Sequence, residues 1–245
     1  MGGLDSLRAR VRAIEGGGVP LERAVARLGD GLDRHLPWAG LPFGALHEIA
    51  GPARTAMALA FAKAFLARPG ALLWCLDERA RQQLGEPYPP ALAAAGIDPA
   101  RLLLVVGRDP GEVAWAMAEG LRSPAVACTL AELDRLELTV SRKLQLAVEA
   151  GGGAGLVLRS DDLDPAPNAA LTRWWAEPLI EPDVARLGDP ARRYRLDLWR
   201  AKGAAPASLT VELDHATLAL ALAPGLAARA GDAERSPARS ALVAR

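Results

Sequence analysis

At 245 residues the chain suits one α/β domain with small extensions, and it is long enough to bury a sizeable core. The 29 basic and 29 acidic side chains cancel, which argues against a strong autonomous grip on duplex DNA, since proteins built for that carry a basic excess. Apolar residues make up 51% and charged ones 24%, ordinary for a soluble globular protein. Cys75 and Cys128 each sit in an apolar run and read as small core hydrophobes; their spacing suggests neither zinc nor a disulfide framework. No leader-like run opens the chain and nothing approaches the ~20 apolar residues of a membrane span, so the expectation is a cytoplasmic protein.

In chain order, Leu4, Leu7, Val11 and Ile14 repeat at the helical period over residues 4–15, with Arg8, Arg10 and Arg12 beside or opposite that stripe. A triple glycine and Pro20 end the helix, leaving two readings, an arm that docks on a partner or a helix folded back on its own domain. Residues 21–36 give a second helical stretch or turn before a loop at 40–44. Residues 45–50 read as the first core strand and 55–67 as the helix after it, apolar on more than one side and stopped at Pro69-Gly70. Residues 71–76 form a continuous apolar strand of the kind a sheet covered on both faces requires. Helices at 90–95 and 111–121 flank a strand at 102–106; a strand at 125–130, a helix at 139–150, a glycine link at 151–155 and a strand at 156–158 follow. This alternation predicts a parallel, doubly wound sheet. The last third changes to period two. Tyr194, Leu196 and Leu198 alternate with Arg193, Arg195 and Asp197, and similar runs surround Leu209–Leu213 and Leu218–Leu222. That predicts an antiparallel meander at the sheet's edge. Residues 224–245 have the composition of a disordered tail.

The most informative stretch is the strand–turn–helix at 45–60. It has the outline of a phosphate-binding P-loop, whose rule is G-x-x-x-x-G-K-[ST]. Counting from Gly51, which Pro52 follows, the second glycine falls at Ala56, the lysine at Met57 and the hydroxyl residue at Ala58. Met57 carries no charge, Ala58 cannot ligate a metal, and the Cβ of Ala56 crowds a turn that usually needs none. A charge-assisted contact contributes roughly 1.5–3 kcal/mol, so losing the lysine alone weakens nucleotide binding about ten- to a hundred-fold. No nucleotide cofactor and no metal are therefore expected. Arg54 and Lys63 are the only nearby cations that could stand in for the lysine in an ATP-dependent enzyme with an unorthodox loop.

The flanks carry a resemblance. Gly40, Leu41, Pro42, Gly44, Glu48, Ile49, Gly51 and Pro52 match the pattern G-G-L-P-x-G-x-I-x-E-I-x-G-P that leads into the P-loop of the RecA recombinase core. Residues 72–80, 95–104, 111–116 and 122–126 resemble further RecA passages in the same order, and residues 202–207 resemble the turn that follows that core. In this register Glu78 occupies the slot of the glutamate that polarises the attacking water, and Glu132 that of the magnesium-positioning acid. With Met57 in place of the lysine, the plainer reading of Glu78 is a solvated charge opening the next helix. Recombinases hold DNA on two loops. Here the first, around 132–138, is very short, and the second, 159–168, sets Asp161, Asp162 and Asp164 against Arg159, which repels phosphate.

A RecA-like P-loop NTPase core of this length with a ruined P-loop is similar to the ImuA family, accessory proteins of bacterial damage-induced mutagenesis. The resemblance implies a non-catalytic accessory role in translesion DNA synthesis, with an ImuB-like Y-family polymerase relative as partner and RecA and an error-prone DnaE-type polymerase as further candidates. A SulA-like inhibitor of cell division is the rival. The expected organisation is an N-terminal helical arm (1–36), a RecA-like core (37–223) and a tail (224–245). A cluster of Arg193, Arg195, Trp199, Arg200 and Lys202, near Trp174 and Trp175, admits three readings: a solvated sheet face over aromatic core, a protein interface, or a single-strand groove.

Overall fold

The computed structural model describes residues 23–160, 167–179 and 191–223. The helical arm at 4–15, the acidic positions Asp161, Asp162 and Asp164 and the tail at 224–245 lie outside these residues.

The chain builds β1 (Val25–Ala26), α1 (Asp30–Asp33), β2 (Leu41–Pro42), β3 (Ala45–Ala50), α2 (Arg54–Phe65), β4 (Ala71–Asp77), α3 (Glu78–Leu84) and α4 (Pro89–Ala94). It continues through β5 (Leu102–Gly107), α5 (Pro110–Arg122), β6 (Val126–Glu132), α6 (Leu138–Gly151), β7 (Ala154–Leu158), β8 (Thr172–Pro178), β9 (Ala191–Ala201), β10 (Ala207–Asp214) and β11 (Ala219–Leu222). Nine strands form one sheet in the order β11-β10-β9-β8-β3-β7-β6-β4-β5. From β8 to β5 every neighbouring pair is parallel, and β8–β9, β9–β10 and β10–β11 are antiparallel. The fold is α/β with a mostly parallel central sheet and antiparallel C-terminal strands.

Both faces are covered, as the continuous apolar strands demand. Met57, Phe61 and Phe65 of α2 pack with Ile49, Leu72, Trp74, Leu130, Leu156 and Trp174 on one face. Val113, Met117 and Leu121 of α5 and Leu144 and Val148 of α6 pack with Leu46, Leu73, Cys75 and Val157 on the other. Each such large side chain, once buried, contributes roughly 1.5–3 kcal/mol. The apolar stripe of the meander (Tyr194, Leu196, Leu198, Leu209, Val211, Leu213) extends the α2 side.

Three expectations need correction. For residues 21–36 the sequence predicts a helical stretch or turn; of those described, Val25–Ala26 instead pairs antiparallel with Leu41–Pro42, and helix is confined to Asp30–Asp33. β7 begins at Ala154, inside the supposed glycine link, because Gly155 takes its place in the ladder between Leu46 and Thr129. β8 has no alternating pattern and was not anticipated; its register comes from pairing with β3. Among the described residues no helix is long and apolar enough to cross a membrane.

Candidate functional site

β3 delivers the chain to the C-terminal edge of the parallel strands, where open α/β sheets place their sites. Gly51 turns there at φ +99°, and a Cβ on it would meet the Ala176 carbonyl oxygen of β8 at 2.3 Å, so only glycine fits. Between strand and helix stand just Gly51, Pro52 and Ala53. Ala53 N–H donates to Ala176 O (3.0 Å), Arg54 N–H to Gly51 O (3.1 Å) and Met57 N–H to Ala53 O (3.1 Å). A phosphate cradle works through backbone N–H groups left free to converge on the anion; these three are already bonded to the chain itself. Ala56, Met57 and Ala58 fall within α2, and Met57 and Ala58 are fully buried.

Arg54 is the first residue of that helix. Its Nε lies 3.7 Å from Oε2 of Glu132, with both side chains largely buried, and its Nη1 donates to Gly51 O at 3.4 Å. Glu132 ends β6, two strands away in the sheet. Burial pushes its carboxyl above the usual range; Arg54 pulls it back, and Asp134 and Asp77 push it further up. Beside this pair a recess of about 180 Å³ is lined by Thr55, Trp74, Leu76, Gly85, Glu86, Pro87 and Glu132. It is small against the roughly 300–1,000 Å³ of ligand clefts and two of its residues are carboxylates, which disfavour a polyphosphate.

Glu78 opens α3 and turns onto its own helix: Arg81 donates to it through Nε (2.9 Å) and Nη2 (2.7 Å), and Gln82 at 3.1 Å. The hydrogen bonds from Arg81 hold its carboxyl below the usual range. Arg81 also bridges to Glu86 at 2.7 Å, and Asp77 caps the helix by accepting from Ala80 N–H. Lys63, the other candidate for the lysine's role, donates its Nζ to the Thr217 carbonyl. Among the described residues no three His, Cys, Asp or Glu side chains gather as a metal would need.

The structure also assembles a group that the sequence reading did not connect. Glu48, in the middle of β3, is fully buried. Arg159, just past β7, donates Nη1 to its Oε1 (3.0 Å); Arg173 of β8 brings Nε to 2.8 Å of Oε2 and donates Nη2 to Oε1 at 3.2 Å. Asn168 donates Nδ2 to Oε2 at 2.6 Å. Arg159 and Asn168, the ends of the loop read from the sequence as acidic, are buried here. The signal was a glutamate in the middle of a strand that reads as core, since a buried charge requires partners. Next to it His47 is held neutral: burial depresses it to about 4. Its Nε2–H donates to Pro42 O (3.0 Å) and its Nδ1 accepts from the Thr172 hydroxyl (2.8 Å), which accepts in turn from Trp174 Nε1 (2.8 Å).

The basic cluster of the meander is divided among acidic neighbours. Arg193 bonds Glu212 (2.9 Å), and Arg195 lies 2.9 Å from Glu177 and 3.3 Å from Asp197. Trp199 stacks on Trp175, ring centroids 6.0 Å apart. Arg200 is exposed and Lys202 half-buried at the start of the β9–β10 turn. Two of the basic positions are thus neutralised within the sheet face.

Set against known proteins, the chain is 30% identical over 206 residues to the protein named Protein ImuA in each of two strains of Caulobacter vibrioides, NA1000 / CB15N and CB 15. The match covers 76% of this chain and 81% of that protein. No family model matches the chain.

Proposed function

The chain belongs to the ImuA family, and from that premise we propose that it is a non-catalytic accessory protein of damage-induced mutagenesis. In this reading it is a scaffold of error-prone translesion synthesis, built on a RecA-like core whose nucleotide position is closed. Its partners are an ImuB-like Y-family polymerase relative, with RecA and an error-prone DnaE-type polymerase as further candidates, and it acts in the cytoplasm.

The observation that carries the reading is the closed turn. At the P-loop position the N–H groups of Ala53, Arg54 and Met57 serve the chain's own carbonyls, Pro52 has no N–H to offer, and Met57 and Ala58 are sealed in the core. The resemblance puts a magnesium-positioning acid at Glu132, and that residue instead faces Arg54, a cation of the same chain. With Arg54 turned to Glu132 and Lys63 to Thr217, neither stands free to replace the missing lysine. A fold that keeps a recombinase-like outline without the nucleotide switch is suited to presenting surfaces rather than cycling them. The division of Arg193 and Arg195 between Glu212, Glu177 and Asp197 supports protein contacts over a nucleic-acid groove on that face.

The test has two arms. Tagged protein recovered from DNA-damaged cells is expected to bring down a Y-family polymerase relative, and deleting its gene is expected to lower damage-induced mutation. Recovery of the division tubulin alone, with filamentous cells on overproduction, would transfer the protein to the inhibitor reading. Magnesium-dependent ATP hydrolysis by the purified chain, lost in Glu78→Gln, would overturn the non-catalytic assignment.

A further inference from the structure

The nine-stranded sheet has two edges, and they are finished differently. At one edge stands β11, whose Leu220 and Leu222 pack into the α2-side core. α1 lies against it, close enough that a Cβ on Gly31 would meet Leu222 Cγ at 2.9 Å. At the other stands β5, hydrogen-bonded only to β4 among the described strands. Its six residues are Leu-Leu-Leu-Val-Val-Gly. Register with β4 turns Leu102, Leu104 and Val106 to the α2 face and Leu103 and Val105 to the α5 face. Leu102 and Val105 reach core, but Leu103, Leu104 and Val106 stay 52%, 37% and 41% exposed.

Soluble proteins usually blunt such an edge with lysine, proline or an inward charge. β5 contains none of these. The arginines at its two ends are engaged elsewhere. Arg101 spends its guanidinium on the carbonyls of Leu66 (3.0 Å), Arg68 (2.6 Å) and Gly70 (2.7 Å), and Arg108 is folded onto Glu112. An uncharged, aliphatic edge is left, unpaired among the described residues.

We infer that β5 is a self-association edge: a second copy of this chain adds its own β5, antiparallel, about a two-fold axis through Leu104. The strand is its own complement in that arrangement. Leu104 meets Leu104, Leu103 meets Val105 and Leu102 meets Val106, so every cross-strand pair is aliphatic and no charge meets a like charge. The contact is isologous and closes at two copies. The chain's formal net charge of +0 adds no long-range repulsion between copies. Trp115, 67% exposed on α5, belongs to none of these cross-strand pairs.

Sedimentation of the full chain at rising micromolar concentration should show the 25.7 kDa species giving way to one of twice that mass. Leu104→Lys sets two lysines opposite each other and should weaken the dimer about tenfold, while Trp115→Ala leaves it unchanged; circular dichroism checks that both variants are folded. Cross-linking fixes the geometry, because the native thiols are buried. Leu104→Cys should oxidise to a covalent dimer in high yield and Leu103→Cys poorly, since only position 104 lies opposite itself. A wild-type chain that stays monomeric overturns the inference. So does a dimer indifferent to Leu104→Lys, or one in which Leu104→Cys cross-links no better than Leu103→Cys, as a different strand seated on this edge would produce.

Discussion

Two carboxylates on neighbouring parts of the same sheet, Glu48 and Glu132, each hold an arginine, and the contrast between them separates the interior of the molecule from its rim. Glu48 sits mid-strand with no exposure and saturates both oxygens: one arginine from each flanking strand and the Asn168 amide converge within 2.6–3.2 Å. That cluster fastens β3 to β7 and β8 and leaves nothing over for a ligand. Glu132 stands at a strand end, meets a single arginine at 3.7 Å, and is held above its usual range by burial. One is a clamp; the other is a looser pair at the strand's end. The turn between them, Gly51 to Ala53, is positioned by the clamp below it and closed by the pair above.

The strongest way to break this contrast is to write the missing letters back. Met57→Lys with Ala58→Thr restores the lysine and the hydroxyl of the P-loop spelling, and if those two letters made the site, nucleotide binding should return. The structure predicts the opposite. Residue 57 has no exposure and packs under the sheet, and burying a lysine depresses its pKa by about 3–5 units, equivalent to about 4–7 kcal/mol. The expected outcome is a chain that melts far earlier and still shows no magnesium-ATP binding by calorimetry. Ala58→Thr alone, a smaller insult to the core, keeps the binding arm readable if the double variant does not fold. Measurable ATP affinity in either would mean that the turn opens more readily than its hydrogen bonds indicate.

Removing the clamp is next in size. Glu48→Ala removes the buried carboxylate that Arg159 and Arg173 share, and breaking a buried pair in this way costs about 3–5 kcal/mol. Denaturant titration measures it, with Glu48→Gln expected to lose less because an acceptor for Asn168 and the arginines remains. A loss below about 1 kcal/mol, the level of an exposed pair, would erase the distinction between clamp and rim.

Most of the framework was legible in the sequence, and the parts that were not share a cause. The alternation of apolar strands with helices, the proline and glycine stops, and the period-two meander are local signals, and they placed nearly every element. The clamp is not local: Glu48 reaches Arg159 111 residues on and Arg173 125 residues on. Periodicity could mark Glu48 as a charge needing a partner but could not name the partner. β8 escaped notice for the same reason, since Arg173, Trp174 and Trp175 make a strand only beside β3. Glu78 was legible, because Arg81 three residues away explains it. Arg54 was noticed as a cation near the turn; that it faces Glu132 follows from the sheet order alone.

Acid titration sharpens the contrast further, because the two regions carry shifts of opposite effect. His47, beside the clamp, is a base depressed from 6.5 to about 4. Between those values the unfolded chain binds a proton that the folded chain refuses, so His47 contributes stability above pH 6.5 that is lost as pH falls towards about 4, up to ~3 kcal/mol. His47→Gln should flatten the wild-type decline across that window. A variant whose pH profile runs parallel to the wild type would show that His47 takes up its proton without opening the core.

The rim gives the smallest effect and the most specific one. Glu132 is an acid whose folded pKa is raised above its unfolded value, so its ionised form costs stability, and the cost is relieved as pH falls through the folded pKa. Arg54 offsets part of that cost. Arg54→Ala should therefore destabilise by about 1 kcal/mol at neutral pH, and the loss should shrink as pH drops below Glu132's raised pKa, because a protonated Glu132 needs no partner. In a Glu132→Gln background the same Arg54→Ala change should cost less and should lose this pH dependence. Such a cycle isolates the pair from whatever else Arg54 touches, including the Gly51 carbonyl. If Arg54→Ala instead costs as much in the Glu132→Gln background as in the wild type, Arg54 holds the turn through Gly51 alone, and Glu132 is a bystander at the strand end.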